Sequence, residues 1–554
     1  MTAAAEGTPG TGYLGHLLIL LGLSCVFFVL GNNVLGLTNP DEVFYAQTAR
    51  EMVQHHSWAT PYLFGVPQFE KPILLYWLLN VSVALFGPSA FAWRFVPAVF
   101  AAAGITAVYF LASLMFRDTR KGLLSAVVLA SSGLYIGLAR TLYTDMVFSV
   151  FILLALASFW MGYVDVKRRG LGFVLFFAFA ALAVLTKGPL GLILPGLTAF
   201  VFLAARRELR ALGHKGALAG LLVFLVLAVP WYALMVKTYG RAFTGEFFYN
   251  DHIRRILAAE HQRNDTWYFY PLSSLVSMFP WTIFVAVSFG SLVARLVRRT
   301  FEPSHLFLSS WIVVTLVVFL SAHSKLVSYV FPMFPALAML TGDSLYGWAA
   351  SKSRSVARWL AAGFVVMALF PPAGLAVAAV RFPEYLPPAP WVYCLAVLMA
   401  VLSAAVIVLA ARRRFVTCVY VMSPVLIVAF YFGLTSEPVD FRLSSRNACH
   451  YLSEYDTGTG TVLCSKYFVR AVYYYTGRNV AVADIDGIPF FSPHPIPFLD
   501  TEEKVRTFLL QQRETYCVVD GSTLSDLRRI SANGMTLVVL AKSGNEYVAR
   551  ILAD

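Results

Sequence analysis

The sequence predicts a mainly α-helical membrane protein. A polytopic transmembrane helical domain is expected over residues 1–435, with a soluble extracytoplasmic α/β domain over 436–554. Three observations lead there. Of the 554 residues, 58% are hydrophobic and only 13% are charged, too apolar for a soluble chain of this size. Apolar runs of spanning length recur as far as residue 434, with a basic cluster in every second loop. Beyond residue 436 the pattern changes to short strand-like runs alternating with amphipathic stretches.

By apolar length the chain holds about thirteen spans. They cover 13–35, 90–116, 122–138, 146–164, 172–185, 188–205, 216–236, 271–294, 306–321, 327–345, 357–380, 391–411 and 415–434. No Lys or Arg precedes the first run and no small-residue cleavage site follows it, so it reads as an anchor that stays. The stretch 72–86 is apolar but short, and reads as interfacial or re-entrant.

The basic clusters set the expected orientation. Arg117/Arg120/Lys121, Lys167/Arg168/Arg169, Arg206/Arg207/Arg210/Lys215, Arg295/Arg298/Arg299, Lys352/Arg354/Arg358 and Arg412/Arg413/Arg414 fall in alternate loops. The positive-inside rule assigns them to the cytoplasm, with the N-terminus inside and the residues from about 436 outside. They account for much of the formal charge of +13, so nucleic acid is not required as a partner. The six cysteines form no metal-binding spacing, and Cys449, Cys464 and Cys517 leave room for one disulfide in the C-terminal part. That part, with strands expected over 461–468, 479–485, 516–520 and 535–541, shows no Gly-rich phosphate loop and no catalytic triad.

The opposite loops, longest over 36–89 and 237–270, hold a mixed acid/base set. Ionisable groups this close to apolar spans are costly unless they face one another or a polar cavity, although interface charges that snorkel account for some of them. Thr38-Asn39-Pro40-Asp41-Glu42 comes first. Asn39 can cap a helix that Pro40 starts. Tyr45, Ala49, Met52 and Val53 then recur on one side, so a short amphipathic helix on the membrane surface is expected to present Asp41 and Glu42 at its positive end. Glu70-Lys71-Pro72 follows, where a Lys at the membrane face can hold a lipid phosphate or merely pair with its neighbour. Arg140 with Asp145 marks the outer start of the 146–164 span, where Asp145 can equally be a cap. Thr186-Lys187-Gly188-Pro189 is a further external turn. The loop 247–255 carries Asp251, His252, Arg254 and Arg255, and Ser324-Lys325-Leu326 is followed by Tyr329 one helical turn on.

In this order along the chain, the motifs resemble the GT-C superfamily of membrane glycosyltransferases. The similarity is greatest to the lipid A aminoarabinose transferase (ArnT) and protein O-mannosyltransferase-like branch, and covers roughly 14–345. The resemblance implies an undecaprenyl- or other polyprenyl-phosphate-linked sugar donor, used on the periplasmic face of the bacterial inner membrane with inversion at the sugar. It implies a lipid A/LPS-type or a protein acceptor. The residue chemistry agrees with it. Lys71, Arg255, Lys325 and Tyr329 can offset charge building on a leaving phosphate. Asp41 can take the proton of an acceptor hydroxyl, and Asp145 can orient the sugar or steady positive charge on its ring. A phosphate acceptor would need no base, and Asp41 would then position groups instead. Glu42, Arg140 and Lys187 complete the expected substrate-binding set. The sequence leaves the use of a divalent metal open, with Glu70, Asp251 and His252 as candidate ligands.

Two other readings compete. A protein O-glycosyl (mannosyl) transferase of the same superfamily differs only in acceptor. A transporter or flippase fits less well, because no internal repeat is visible and the charges lie at the outer face rather than at the midplane.

Overall fold

A computed structural model describes residues 10–258, 264–297, 301–434, 437–456, 458–490, 494–532 and 534–553. Among these, seven helices are long and apolar enough to cross a membrane, or eight if one bent pair counts as a span. Shorter apolar helices over 13–29, 74–86, 190–206, 282–295 and 415–425 pack among them. One continuous apolar core runs through this helical region.

Several expected spans are broken, each for a local reason. The stretch expected as 122–138 is two helices, Thr119–Ala130 and Gly133–Ala139, bent by 69°. At the bend Ser131 Oγ donates back to Val127 O (2.6 Å) and Ser132 Oγ to Leu129 O (2.9 Å). Such back-bonding competes with the helical ladder. The Gly133 N–H leaves the ladder for Phe279 O, 3.0 Å away. The expected 271–294 span is likewise split into Phe269–Ser277 and Thr282–Val297, and Pro280, which has no N–H to give, lies in the gap. Val327–Met333 is a 3-10 turn ahead of the helix Phe334–Ala349.

The helix Asp41–Gln54 differs most from its expectation. It does not lie on a surface with one wet side. Ten of its fourteen residues, including Glu42, Gln47, Thr48 and Glu51, are buried. One side meets the helical core, and the C-terminal region covers the other. Arg50 Nη1 donates to Tyr474 O at 2.8 Å, and its guanidinium lies 3.9 Å over the Tyr474 ring. Nor does Asn39 cap the helix. Its amide donates to Ser445 Oγ (2.8 Å) instead, and the helix begins after Pro40 without a side-chain cap.

Beyond a short hairpin, β1 (Tyr62–Leu63) and β2 (Val66–Pro67), all strands among the described residues lie in the C-terminal region. They are β3 (Val462–Ser465), β4 (Val480–Ala483), β5 (Phe498–Leu499), β6 (Glu514–Val519), β7 (Met535–Ser543) and β8 (Glu546–Ala553). They form one sheet in the order β5-β4-β3-β6-β8-β7. The first four are mutually parallel and β8 and β7 are antiparallel. Helices Glu502–Gln512 and Gly521–Ser531 contribute to the apolar cluster on one face, and Arg446–Tyr455 and Val469–Thr476 to that on the other. A parallel sheet covered on both faces buries every position, and all four residues of β3 and of β4 are buried. Strands β5 and β8 were not expected from the sequence.

This region is joined closely to the helical one. Gly36 N–H donates to Asp440 Oδ1 (2.7 Å), Trp93 Nε1 to Tyr474 OH (3.0 Å) and Tyr467 OH to Asn39 O (2.9 Å). The disulfide for which the sequence leaves room does not form: Cys449, Cys464 and Cys517 are free and buried.

Candidate active site

The ends of several helices meet around Asp41 and Asp145. Asp145 lies in the first turn of the helix Thr144–Val164, and Lys187 is the last residue of the antiparallel neighbour Arg169–Lys187. Gly188, at φ 95°, ends that helix, and Pro189 opens the next. A residue at this φ is easily Gly and disfavoured otherwise. The Lys-Gly-Pro turn therefore leaves Lys187 at a helix C-terminus, where a cation is favoured, opposite an anion at a helix N-terminus. Lys187 Nζ lies 2.7 Å from Asp145 Oδ1, with side chains 17% and 7% exposed. Asp145 is thus the partner of Lys187, not a simple cap.

The same ammonium lies 5.1 Å from the centre of the Tyr329 ring and 5.7 Å from that of Phe148. Tyr329 OH in turn accepts from Arg255 Nη1 at 3.2 Å. Asp145, Lys187, Tyr329 and Arg255 therefore form one continuous row, drawn from four separate stretches of sequence.

Asp41 stands beside this row, half-buried. Tyr45 and Tyr143, with ring centres 6.5 Å apart, are held above the ordinary phenol range, first by burial and then by the Asp41 carboxylate. Asp145 pushes both in the same direction. Both tyrosines therefore stay protonated, and Tyr143 hydrogen-bonds the Asp41 carboxylate. Tyr143 was not expected at the site; the only sequence signal was its place between Arg140 and Asp145.

The other expected residues are placed as follows. Glu42 is fully buried, and its two oxygens take Arg94 Nη2 (2.5 Å), Arg94 Nε (2.8 Å), Thr38 N–H (2.8 Å), Thr38 Oγ1 (2.9 Å) and Leu142 N–H (2.8 Å). Burial by itself would raise its pKa; the Arg94 charge overcomes this and brings it below the ordinary range. Arg94 also donates to the carbonyls of Asn32, Leu35 and Gly36. Contrary to expectation, then, Glu42 spends its acceptors within the protein and ties the loop ahead of Asp41 to the helix Ala90–Phe116. Arg140 donates to the carbonyls of Phe27 (3.1 Å) and Leu30 (2.8 Å), closing the end of the first helical segment. Lys325, 4% exposed, pairs with Asp265, which also takes His323 Nδ1 at 2.7 Å. Asp265 is a partner the sequence did not single out. Hydrogen bonds from Lys325 and then His323 hold its carboxyl below the usual range.

Lys71 Nζ donates to the carbonyl of Glu70 (3.0 Å). Gln68 connects this turn to the site: its amide donates to Tyr76 OH (2.9 Å), and the Tyr76 ring lies 6.4 Å from that of Tyr45. The Glu70 carboxylate is 3.9 Å from Arg470. The side chains of Asp251 and His252, and most of the loop 258–264, lie outside the described residues. Among the described residues no three His, Cys, Asp or Glu side chains gather to hold a metal, so no step is routed through one.

Residues 70–233 match the family model for dolichyl-phosphate-mannose-protein mannosyltransferase. An undecaprenyl phosphate-alpha-4-amino-4-deoxy-L-arabinose arabinosyl transferase of Pseudomonas paraeruginosa is 32% identical over 331 residues, 59% of either chain. A Pseudomonas fluorescens relative, numbered 1 under the same name, is 33% identical over 62% of this chain and 61% of its own. The match thus spans about three-fifths of the length of these curated relatives. The crystal structure of ArnT from Cupriavidus metallidurans bound to undecaprenyl phosphate superposes with a TM-score of 0.77 at 22% identity, over 98% of each chain. Its apo form gives 0.78 over the same extents. The resemblance read from the motifs is borne out in so far as the chain is similar in sequence to these arabinosyl transferases and in fold to ArnT.

Proposed function

We propose that this protein transfers a sugar from an undecaprenyl-phosphate donor to a lipid A/LPS-type acceptor at the periplasmic face of the bacterial inner membrane. The observation that carries the reading is the convergence of Asp41, Tyr143, Asp145, Lys187, Tyr329 and Arg255 at neighbouring helix ends. The names of the relatives and the undecaprenyl phosphate bound to ArnT support the donor class. The acceptor is inferred from the ArnT-like architecture. About thirteen spans, an inside N-terminus, and the loops 36–89 and 237–270 on the same periplasmic side as the 436–554 domain belong to this proposal.

In the proposed step the bond between the sugar's anomeric carbon and the phosphate oxygen breaks, and its electron pair leaves with the phosphate. Arg255, Tyr329 and Lys71 offset the charge on that oxygen; electrostatic preorganisation of this kind is commonly the largest catalytic term. The acceptor oxygen forms a new bond to the opposite face of the carbon. If it is a hydroxyl, its proton goes to Asp41; a phosphate acceptor has none to lose. Asp145, steadied by Lys187, faces the sugar as positive charge builds on the ring. Glu42, Arg140 and Lys325 act as positioning residues through the contacts described above. Chelation tests a divalent ion at Glu70: with Asp251 or His252 as second ligand, donor binding falls when the ion is removed.

The test is thermal unfolding of the purified protein with undecaprenyl phosphate, since a ligand of the folded state raises its apparent stability. A shift that disappears in Lys71→Ala and Arg255→Ala supports the donor site. No shift at saturating lipid overturns it and returns the transporter reading.

A further inference from the structure

A cavity of about 740 Å³ lies away from the acid/base row. It is an open cleft between the β1–β2 hairpin and the C-terminal sheet, and its volume is in the range of ligand sites. Phe64 and Tyr473 present aromatic rings, with centres 4.8 Å apart. Asn479, Thr507, Gln511 and Gln512 supply amides and a hydroxyl, groups that both donate and accept. Glu503 and Lys504 are the charged residues of the lining. Lys504 is paired with Asp500 at 2.6 Å, so a phosphate finds no unpaired cation in the lining to hold it.

The tip of the hairpin is held in a costly conformation. Phe64 has φ 55°, a region that bulky side chains rarely enter. Glu51 maintains it by accepting the N–H groups of Phe64 (3.0 Å) and Gly65 (2.8 Å). Strain kept in place by a buried carboxylate points to a use for the ring it presents. Opposite it, Thr507 and Gln511 stand four residues apart on the exposed face of Glu502–Gln512, which places them on one helix side. An extended peptide would add to the edge strand β5, but Pro495 and Pro497 line the cleft just before that strand, and proline blocks such pairing.

We infer that this cleft is a saccharide subsite that holds the glycan part of the acceptor. Aromatic faces take the apolar C–H side of sugar rings, and amides and hydroxyls match their hydroxyls from both directions. Placement fits as well. Asp41 and Glu51 lie on one α-helix, Asp41–Gln54, about 15 Å apart at 1.5 Å per residue. A glycan seated against Phe64 can therefore reach the reacting centre through a few further sugar units. The identity of the glycan as acceptor rests on the transferase reading; the site itself does not.

The test uses the full chain in detergent and the delipidated, dephosphorylated core oligosaccharide of a bacterial lipopolysaccharide, followed by titration calorimetry. Binding should weaken about ten-fold in Phe64→Ala and several-fold in Gln511→Ala, with undecaprenyl phosphate binding unchanged. Gln511 is exposed, so its variant guards against misfolding. The subsite is overturned if the parent does not bind the oligosaccharide, or if both variants bind it as the parent does. Oligosaccharide binding without undecaprenyl phosphate binding keeps the subsite and sinks the transferase reading.

Discussion

Lys187 Nζ and Asp145 Oδ1 meet at 2.7 Å, each at the end of its own helix and each largely out of water. A pair so placed does two things. It neutralises two charges whose separate burial would be costly, and it sets the carboxylate's position beside Tyr143 and Asp41. Removing one partner leaves a buried charge uncompensated, at a cost of roughly 3–5 kcal/mol. Lys187→Met should therefore lower the unfolding temperature and abolish turnover. Adding Asp145→Asn to it should restore much of the stability and none of the turnover. Equal stability of the single and double variants would sink this account.

Asp41→Asn addresses the chemistry rather than the fold. Asp41 is half-buried, at the start of a helix whose other residues do the packing. The variant should retain undecaprenyl phosphate binding. With a hydroxyl acceptor, turnover should fall by about 10²–10⁴, the range general base catalysis supplies. A retained rate with a phosphate acceptor would assign Asp41 a positioning role.

Tyr329→Phe removes the hydroxyl that accepts from Arg255 Nη1 and leaves the ring under Lys187. One hydrogen bond to a charged group contributes roughly 1.5–3 kcal/mol. A ten-fold or greater loss in donor affinity with an unchanged melting temperature is expected in a titration with undecaprenyl phosphate. An unchanged affinity would remove Tyr329 from the phosphate site.

Much of this site was readable along the chain, because helix ends and turns are local. Lys-Gly-Pro marks a helix stop followed by a start, and that alone places Lys187 at a helix end. What local pattern could not show was the partner. Glu42 reads as a substrate-binding carboxylate until Arg94, 52 residues on, is seen to occupy it. Asn39 reads as a cap until Ser445, 406 residues on, takes its amide. The helix Asp41–Gln54 looked amphipathic because its buried polar residues, Gln47 and Glu51 among them, bond to each other and to the hairpin rather than to water. Polar residues in a pattern signal solvent only when nothing distant covers them.

The Glu42–Arg94 pair predicts an acid limit. Glu42 has its folded pKa below the unfolded value near 4.5. Its contribution is therefore present above that value and is lost as pH falls through the folded one. Melting temperature should drop steeply below about pH 4.5 in the parent, and Glu42→Gln should start lower and show a flatter acid limb. An acid limb of the same slope in both would exclude Glu42 as its source.

Glu546 predicts the opposite slope. It is 1% exposed on β8 and accepts from Ser445 Oγ at 2.9 Å, in the cluster that also takes the Asn39 amide. Burial above all raises its carboxyl to about 8, and Asp440 adds to the rise. A carboxyl raised on folding favours the folded state fully below its unfolded pKa, near 4.5. That advantage is lost as pH climbs towards 8, because the folded protein must then hold a charge it cannot solvate. Since this cluster joins the C-terminal sheet to the residue two before Asp41, its loosening should reach the site. Stability of the parent should decline between pH 5 and pH 8 on this group's account. Glu546→Gln, neutral throughout, should hold its melting temperature over that range and turn over better than the parent at the alkaline end. Parallel melting curves for parent and variant from pH 5 to pH 8.5 would show that Glu546 is not the titrating group.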